Sequence, residues 1–204
     1  MKRYMMEFVG TFFLTMAISL TGNPIAIGLM LIAMIYVGGH VSGGHFNPAI
    51  SIACFVQKKM SLHSALWYCA AQSLGASLAL FFFMMVTGNV FSLEMGSEST
   101  VAGPFAVEAL FVMVFCWVYL TMVVGGRYKA TPIHGIVIGL TLMAIVFIGG
   151  IFNPAVAMAA VCCSIVKNGM IGDMAPMLIY VAGPLVGGAV APFVYDYFNE
   201  DDQR

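Results

Sequence analysis

Charge is what this 204-residue chain has least of: eight Lys and Arg and nine Asp and Glu, together 8% of the sequence, against roughly 25% in soluble domains. That scarcity excludes a soluble globular fold. The formal net charge of −1 supplies no basic face for nucleic acid. The five cysteines, Cys54, Cys69, Cys116, Cys162 and Cys163, are odd in number, all lie in apolar stretches and contain no CxxC pair. They therefore read as small buried hydrophobes, with no disulfide framework or thiolate metal site. No metal or other cofactor is expected.

What the chain has is apolar length. Hydrophobic residues make up 61% of it and its mean hydropathy is +0.98. A spanning helix needs about 20 apolar residues, so the chain has room for about six spans and almost nothing outside the bilayer. The apolar segments are residues 4–21, 25–39, 62–87, 105–124, 132–149 and 177–195, separated by Gly, Pro, Asn or charge. Two further apolar pieces, 48–56 and 154–166, are too short to cross. Lys2-Arg3 before an apolar run resembles a signal peptide, but Glu7 and the lack of a small-residue cleavage pattern argue for a retained span.

Positive residues orient the bundle. With six alternating spans, Lys2, Arg3, Lys58, Lys59, Arg127 and Lys129 share one side and Lys167 stands alone on the other, so both termini are expected in the cytoplasm. Glu94, Glu98 and Asp173 then fall outside, and the Glu200-Asp201-Asp202 tail inside.

The chain also repeats itself, in halves of about 1–100 and 101–204 that form one domain. "EFVGTFFLT" from Glu7 and "EALFVMVFC" from Glu108 each open a span with Glu, and Phe-Asn-Pro-Ala follows each, at Phe46 to Ala49 and at Phe152 to Ala155. "YCAAQSLGASLA" from Tyr68 and "YVAGPLVGGAVA" from Tyr180 close the halves, matching Gly75 with Gly187. Three spans per half is an odd number, so the halves lie in opposite orientations. Such inverted repeats carry their functional site at the pseudo-two-fold axis near the midplane.

Asn is a strong N-cap and Pro is favoured at the first helical position, so each Asn-Pro starts a helix. From Pro48 to Gln57 is about 15 Å at 1.5 Å per residue, half of a roughly 30 Å hydrocarbon core. Irregular backbone at that depth is tolerated only inside protein or beside a cavity, so Gly43, Gly44, Gly149 and Gly150 should line something. Two half-helices in opposite orientation would meet N-terminus to N-terminus, each with a partial positive charge of about half a unit. That arrangement suits a neutral hydrogen-bonding molecule and opposes cations and protons.

On "EFVGTF", "GGHVSGGHFNPA", "AQSLGA", "FNPA" and "YVAGPLVGGA", in that order and over essentially the whole chain, the sequence resembles the aquaporins, the major intrinsic protein family. The resemblance implies an all-α membrane protein with six transmembrane helices plus two re-entrant half-helices, assembled as a homotetramer in the plasma (inner) membrane with a pore in each protomer. It also implies a passive channel for water and small uncharged solutes such as glycerol. The pore centre would be Asn47, Pro48, Ala49, Asn153, Pro154 and Ala155, with His45, Gly43, Gly44 and Gly149 lining the loops and His40 nearby. Glu7 and Glu108 would hold those loops. The family usually places Arg after the second Asn-Pro-Ala, where this chain has Val156; with Ile27, Gly150 and either Ile145 or Val146 it gives an apolar constriction. Thr141 is the ungapped alternative on the fifth span. Losing the Arg favours a wider filter, whereas Ile and Val narrow or dewet it.

Three other classes fit less well. A closed structural protein would suit an apolar filter, but long adhesive loops are absent. An enzyme using His45, His40 and Glu7 lacks a nucleophile–base pair. A secondary transporter needs a midplane coupling carboxylate, and both glutamates are assigned to the loops.

Overall fold

The computed structural model describes residues 1–93, 101–126, 128, 131–168 and 175–199. Arg127, Lys129, Glu94, Glu98, Asp173, Glu200, Asp201 and Asp202, used above for orientation, lie outside the described residues. The elements are helices α1 (Lys2–Thr21), α2 (Pro24–Ser42), α3 (Pro48–Val56), α4 (Leu62–Thr87), α5 (Ala102–Tyr119), α6 (His134–Val146), α7 (Pro154–Asn168), α8 (Ala175–Met177) and α9 (Gly183–Phe198). Single π turns at Leu120–Val124 and Leu178–Ala182 continue α5 and join α8 to α9. The fold is an all-α bundle, as expected.

Among the described residues, five helical stretches are long and apolar enough to cross a bilayer: Lys2–Thr21, Pro24–Ser42, Leu62–Thr87, Ala102–Val124 and Leu178–Phe198. The sixth expected span, 132–149, is shorter than its apolar run. It is helical only over the 13 residues of α6, about 20 Å. Pro132 cannot donate into the ladder. At the other end, Ile148 and Gly149 turn back onto Ile145 and Val146 (3.0 and 3.1 Å), and Gly149 adopts φ +93°. The two half-helices also differ. α3 has 9 residues and α7 has 15, so α7 reaches roughly 9 Å further.

Helix starts follow the capping logic. The Asn47 side chain accepts from Ala49 N (2.8 Å) and that of Asn153 from Ala155 N (3.1 Å). A third Asn-Pro, Asn23-Pro24, starts α2 in the same way, with Asn23 accepting from Ile25 N at 2.8 Å. The motif is thus a general helix start. Only its position deep in the bundle makes two of the three copies special.

Packing repeats between the halves. α1 lies along α4 and α5 along α9, and the matched glycines explain why. A Cβ on Gly75 would fall on the backbone carbonyl of Phe8, and one on Gly187 on the carbonyl of Ala109, in each case the residue after the interior Glu. α2 and α6 meet likewise through Gly28 and Gly139, each of whose Cβ would lie 2.7 Å from the other's carbonyl oxygen. Small residues permit this backbone approach in membranes, where the hydrophobic effect does not drive helices together. The outer faces carry large apolar side chains, such as Leu66, Leu74, Leu78, Phe81, Phe82 and Met85 on α4. Cysteine burial differs from expectation: Cys54, Cys116 and Cys163 are buried and Cys69 is half-buried, but Cys162 is exposed on α7.

Because the obstacle is backbone, the matched glycines should tolerate no side chain. Gly75→Ala and Gly187→Ala are each expected to destabilise by about 1–3 kcal/mol. Gly103→Ala, with nothing within 4 Å of the added Cβ, should be neutral. Thermal unfolding in detergent compares the three.

Candidate functional site

The centre of the bundle is built from two short loops that carry the same backbone distortion. Phe46 (φ +48°) and Phe152 (φ +52°) both sit in the left-handed region immediately before their Asn, a conformation costing of order 1–3 kcal/mol for a non-glycine residue. Each is held at both of its polar groups. Glu7 Oε2 accepts from Phe46 N (2.7 Å) and Glu108 Oε2 from Phe152 N (2.8 Å). The carbonyls are taken across the junction: Asn153 Nδ2 donates to Phe46 O (2.9 Å) and Asn47 Nδ2 to Phe152 O (2.8 Å). Each Asn therefore caps its own half-helix with its oxygen and clamps the opposite loop with its nitrogen.

Both glutamates are almost fully buried. Glu7 Oε1 accepts from Ser42 Oγ (2.6 Å) and His45 N (3.0 Å), and its Oε2 also from Gln72 Nε2 (2.8 Å). Glu108 Oε1 accepts from Ile151 N (2.6 Å). The cost of burying a carboxylate is offset when several donors converge on it.

Three residues of α4 and α5 to which sequence reasoning gave no site role, Tyr68, Gln72 and Tyr119, complete the first loop. Gln72 on α4 also donates to Ser51 Oγ (3.0 Å), which faces His45 Nδ1 at 3.0 Å. The His45 ring lies between two tyrosines, with ring centroids 4.9 Å from Tyr68 and 5.4 Å from Tyr119. Tyr68 donates to Ser42 O (2.7 Å) and Tyr119 to Gly43 O (2.8 Å). Gln72 had a usable signal, since an amide inside a long apolar span must find a partner. Tyr119 had none beyond its place in an apolar helix.

A cavity of about 30 Å³, space for one or two water molecules, lies at this junction. Its polar wall is Asn47, Asn153 and His45, and its apolar wall includes Leu14, Ile27, Leu31, Phe115, Leu142 and Val146. Gly150 and Ile151 also line it. Of the expected constriction residues, Ile27, Val146 and Gly150 are at the cavity. Ile145 and Val156 are not among its lining residues. Leu142 and Val146 are one helical turn apart and share the cavity face of α6, which turns Ile145 into the core. Val156, in the first turn of α7, is fully buried. Thr141 donates to Val137 O of its own helix (2.8 Å). Pro48, Ala49, Pro154 and Ala155 are buried in the half-helix starts. Gly43 and Gly44 adopt positive φ beside His45, while Gly149 is exposed. His40 is exposed on α2.

Two half-helices meeting by their capped N-termini inside an inverted bundle, with a small cavity lined by both capping asparagines, define a membrane channel built from a repeat. The family model of the major intrinsic proteins matches residues 9–195, and the chain belongs to that family. It is similar to a glycerol uptake facilitator protein-like 6 from Lactiplantibacillus plantarum (29% identity, 99% of this chain and 100% of that one). It is also similar to aquaporin TIP1-2 of Zea mays (34% identity, 87% and 70%). The X-ray structure of the aquaglyceroporin from Plasmodium falciparum superposes with a TM-score of 0.82 at 22% identity, covering 96% of this chain and 95% of that one. The protein is a multi-pass integral membrane protein and a passive channel for water and small neutral solutes, not an enzyme.

Glu108→Gln keeps the side-chain size but turns an amide N–H₂ toward one of the two loop N–H groups. It is expected to cost about 2–3 kcal/mol, read as a lowered unfolding temperature in detergent relative to wild type.

Proposed function

We propose that the cavity between Asn47 and Asn153 is the midpoint of the conducting path, and that it passes water together with small polyols such as glycerol while excluding ions and protons. The observation that carries this reading is the division of labour at each Asn amide. One N–H is spent on the opposite loop's carbonyl, and the geometry of the NH₂ group leaves the second for a molecule in the cavity. Two donors facing inward, reinforced by two half-helix N-termini of like polarity, orient a neutral acceptor and repel a cation.

The wall chemistry favours solutes with one polar and one apolar face. Asn47, Asn153 and His45 line the cavity together with aliphatic side chains and Phe115. A polyol matches such an amphipathic wall, and its carbon backbone loses little by leaving water. The glycerol-facilitator name of one relative supports the same reading. A facilitator with poor water selectivity is therefore the second reading, favoured by the absence of arginine at position 156.

Three further features belong to this proposal. The positive residues Lys2, Arg3, Lys58 and Lys59 at one end support cytoplasmic termini in a plasma (inner) membrane. The large apolar faces of α1, α2 and α4 suit lipid and neighbouring protomers of a homotetramer. The pore-loop glycines and the capping residues act within each protomer.

Stopped-flow shrinkage and swelling of proteoliposomes, with an internal pH dye, tests the reading. Water and glycerol flux should exceed that of empty vesicles with no added proton flux. Flux equal to empty vesicles, or a proton leak matching the water flux, would overturn it.

A further inference from the structure

The two halves place equivalent residues at opposite ends of the path, and at one end the equivalent residue is a tyrosine. Counting from the interior glutamates, Leu14 and Phe115 are both seven residues on, and both line the cavity. One turn further, eleven residues on, Ile18 in α1 lines the cavity as well. Its counterpart in α5 is Tyr119. The repeat therefore gives Tyr119 a path-lining register at the end nearer Gly43.

The surroundings of Tyr119 agree with that placement. Its hydroxyl donates to Gly43 O at 2.8 Å, and its ring meets His45, which lines the cavity, nearly perpendicularly at 79°. The Tyr119 hydroxyl and His45 Nε2 each lie 3.2 Å from the point a Cβ on Gly43 would occupy. Three polar groups thus converge where the path would continue.

The two ends also differ in openness. At the Ile18 end, Ile18, Val146, Gly150 and Ile151 are all half-buried. At the other, Tyr119 is 1% exposed, and Ile35, which packs beside Gly44, is 2% exposed. His45 lines the cavity, and Gly43, Ile35 and Tyr119 are not among its lining residues. Helical winding changes to π immediately after Tyr119, a local irregularity frequent at functional sites.

We infer that Tyr119 forms a second constriction of the channel, a hydrogen-bonded stopper opposite His45 that closes the Gly43 end and sets the permeability in place of the apolar positions at the Ile18 end. The inference rests on the reading of the Asn47–Asn153 cavity as the conducting path. A solute passes when the hydroxyl releases Gly43 O, and a water or polyol hydroxyl then takes up that acceptor in turn. The stopper thus discriminates by hydrogen-bond exchange as well as by size.

The test is water and glycerol flux per protein in proteoliposomes of wild type, Tyr119→Phe and Tyr119→Val, each checked for monodispersity and helix content before reconstitution. Tyr119→Val should raise water flux by about tenfold, the rate equivalent of one net hydrogen bond, and raise glycerol flux at least as much. Tyr119→Phe keeps the ring and frees the carbonyl; it should give a smaller rise, and it keeps the test decisive if the valine variant does not fold. Wild-type flux above empty vesicles with neither variant faster would overturn the stopper while leaving the channel reading intact. No flux from wild type or variants would overturn both.

Discussion

Everything at the centre of this protein depends on one exchange of hydrogen bonds: each half-helix's capping asparagine donates to the carbonyl of the phenylalanine that precedes the other. Loop backbone deep in a bilayer must find its partners within the protein or a cavity, and an unpaired group facing hydrocarbon costs several kcal/mol. Phe46 and Phe152 add the strain of a left-handed backbone. The structure meets both demands with the same side chains, Glu7 and Glu108 on the N–H groups and Asn153 and Asn47 on the carbonyls. Neither loop is satisfied without the other half of the chain.

The helix packing follows from that requirement. Glu7 and Glu108 must sit at fixed depth, so the spans that carry them are locked to α4 and α9 at the residue after each Glu, where only glycine leaves room for backbone contact. Gln72 reaches Glu7 from α4, which ties that same helix pair to the first loop. The cavity proposed as the conducting space is what remains between two clamped loops, lined by the two asparagines, His45, aliphatic side chains and Phe115. A path of that composition suits neutral molecules that give and take hydrogen bonds. Ile18 and Tyr119 occupy equivalent places in the two halves with different chemistry.

Much of this was legible in the sequence because the constraints are local or periodic. Apolar length marks spans, Asn-Pro marks helix starts, and two such starts in an inverted repeat mark a midplane junction. The aquaporin resemblance followed from the same letters. What stayed hidden depended on direction in space. Asn23-Pro24 starts a helix as Asn47-Pro48 does, and only the fold tells the surface copy from the buried ones. The apolar run 132–149 hid the end of α6, because Gly149 at positive φ stops the helix and no polar residue announces it. Ile145 and Val146 are neighbours in sequence, yet a 100° step of the helix puts one in the core and the other on the cavity. Tyr119 carried no motif; its place emerges only when the repeat is counted from Glu108 and set beside Ile18.

The most direct test of the central junction is a double-mutant cycle on unfolding free energy in detergent, with Asn47→Ala, Asn153→Ala and the pair. Both side chains belong to one network that clamps two strained loops. The cost of the double variant should therefore differ from the sum of the singles by about 1 kcal/mol or more. Additivity within about 0.5 kcal/mol, the behaviour of independent sites, would show that each half stands alone and would contradict the account.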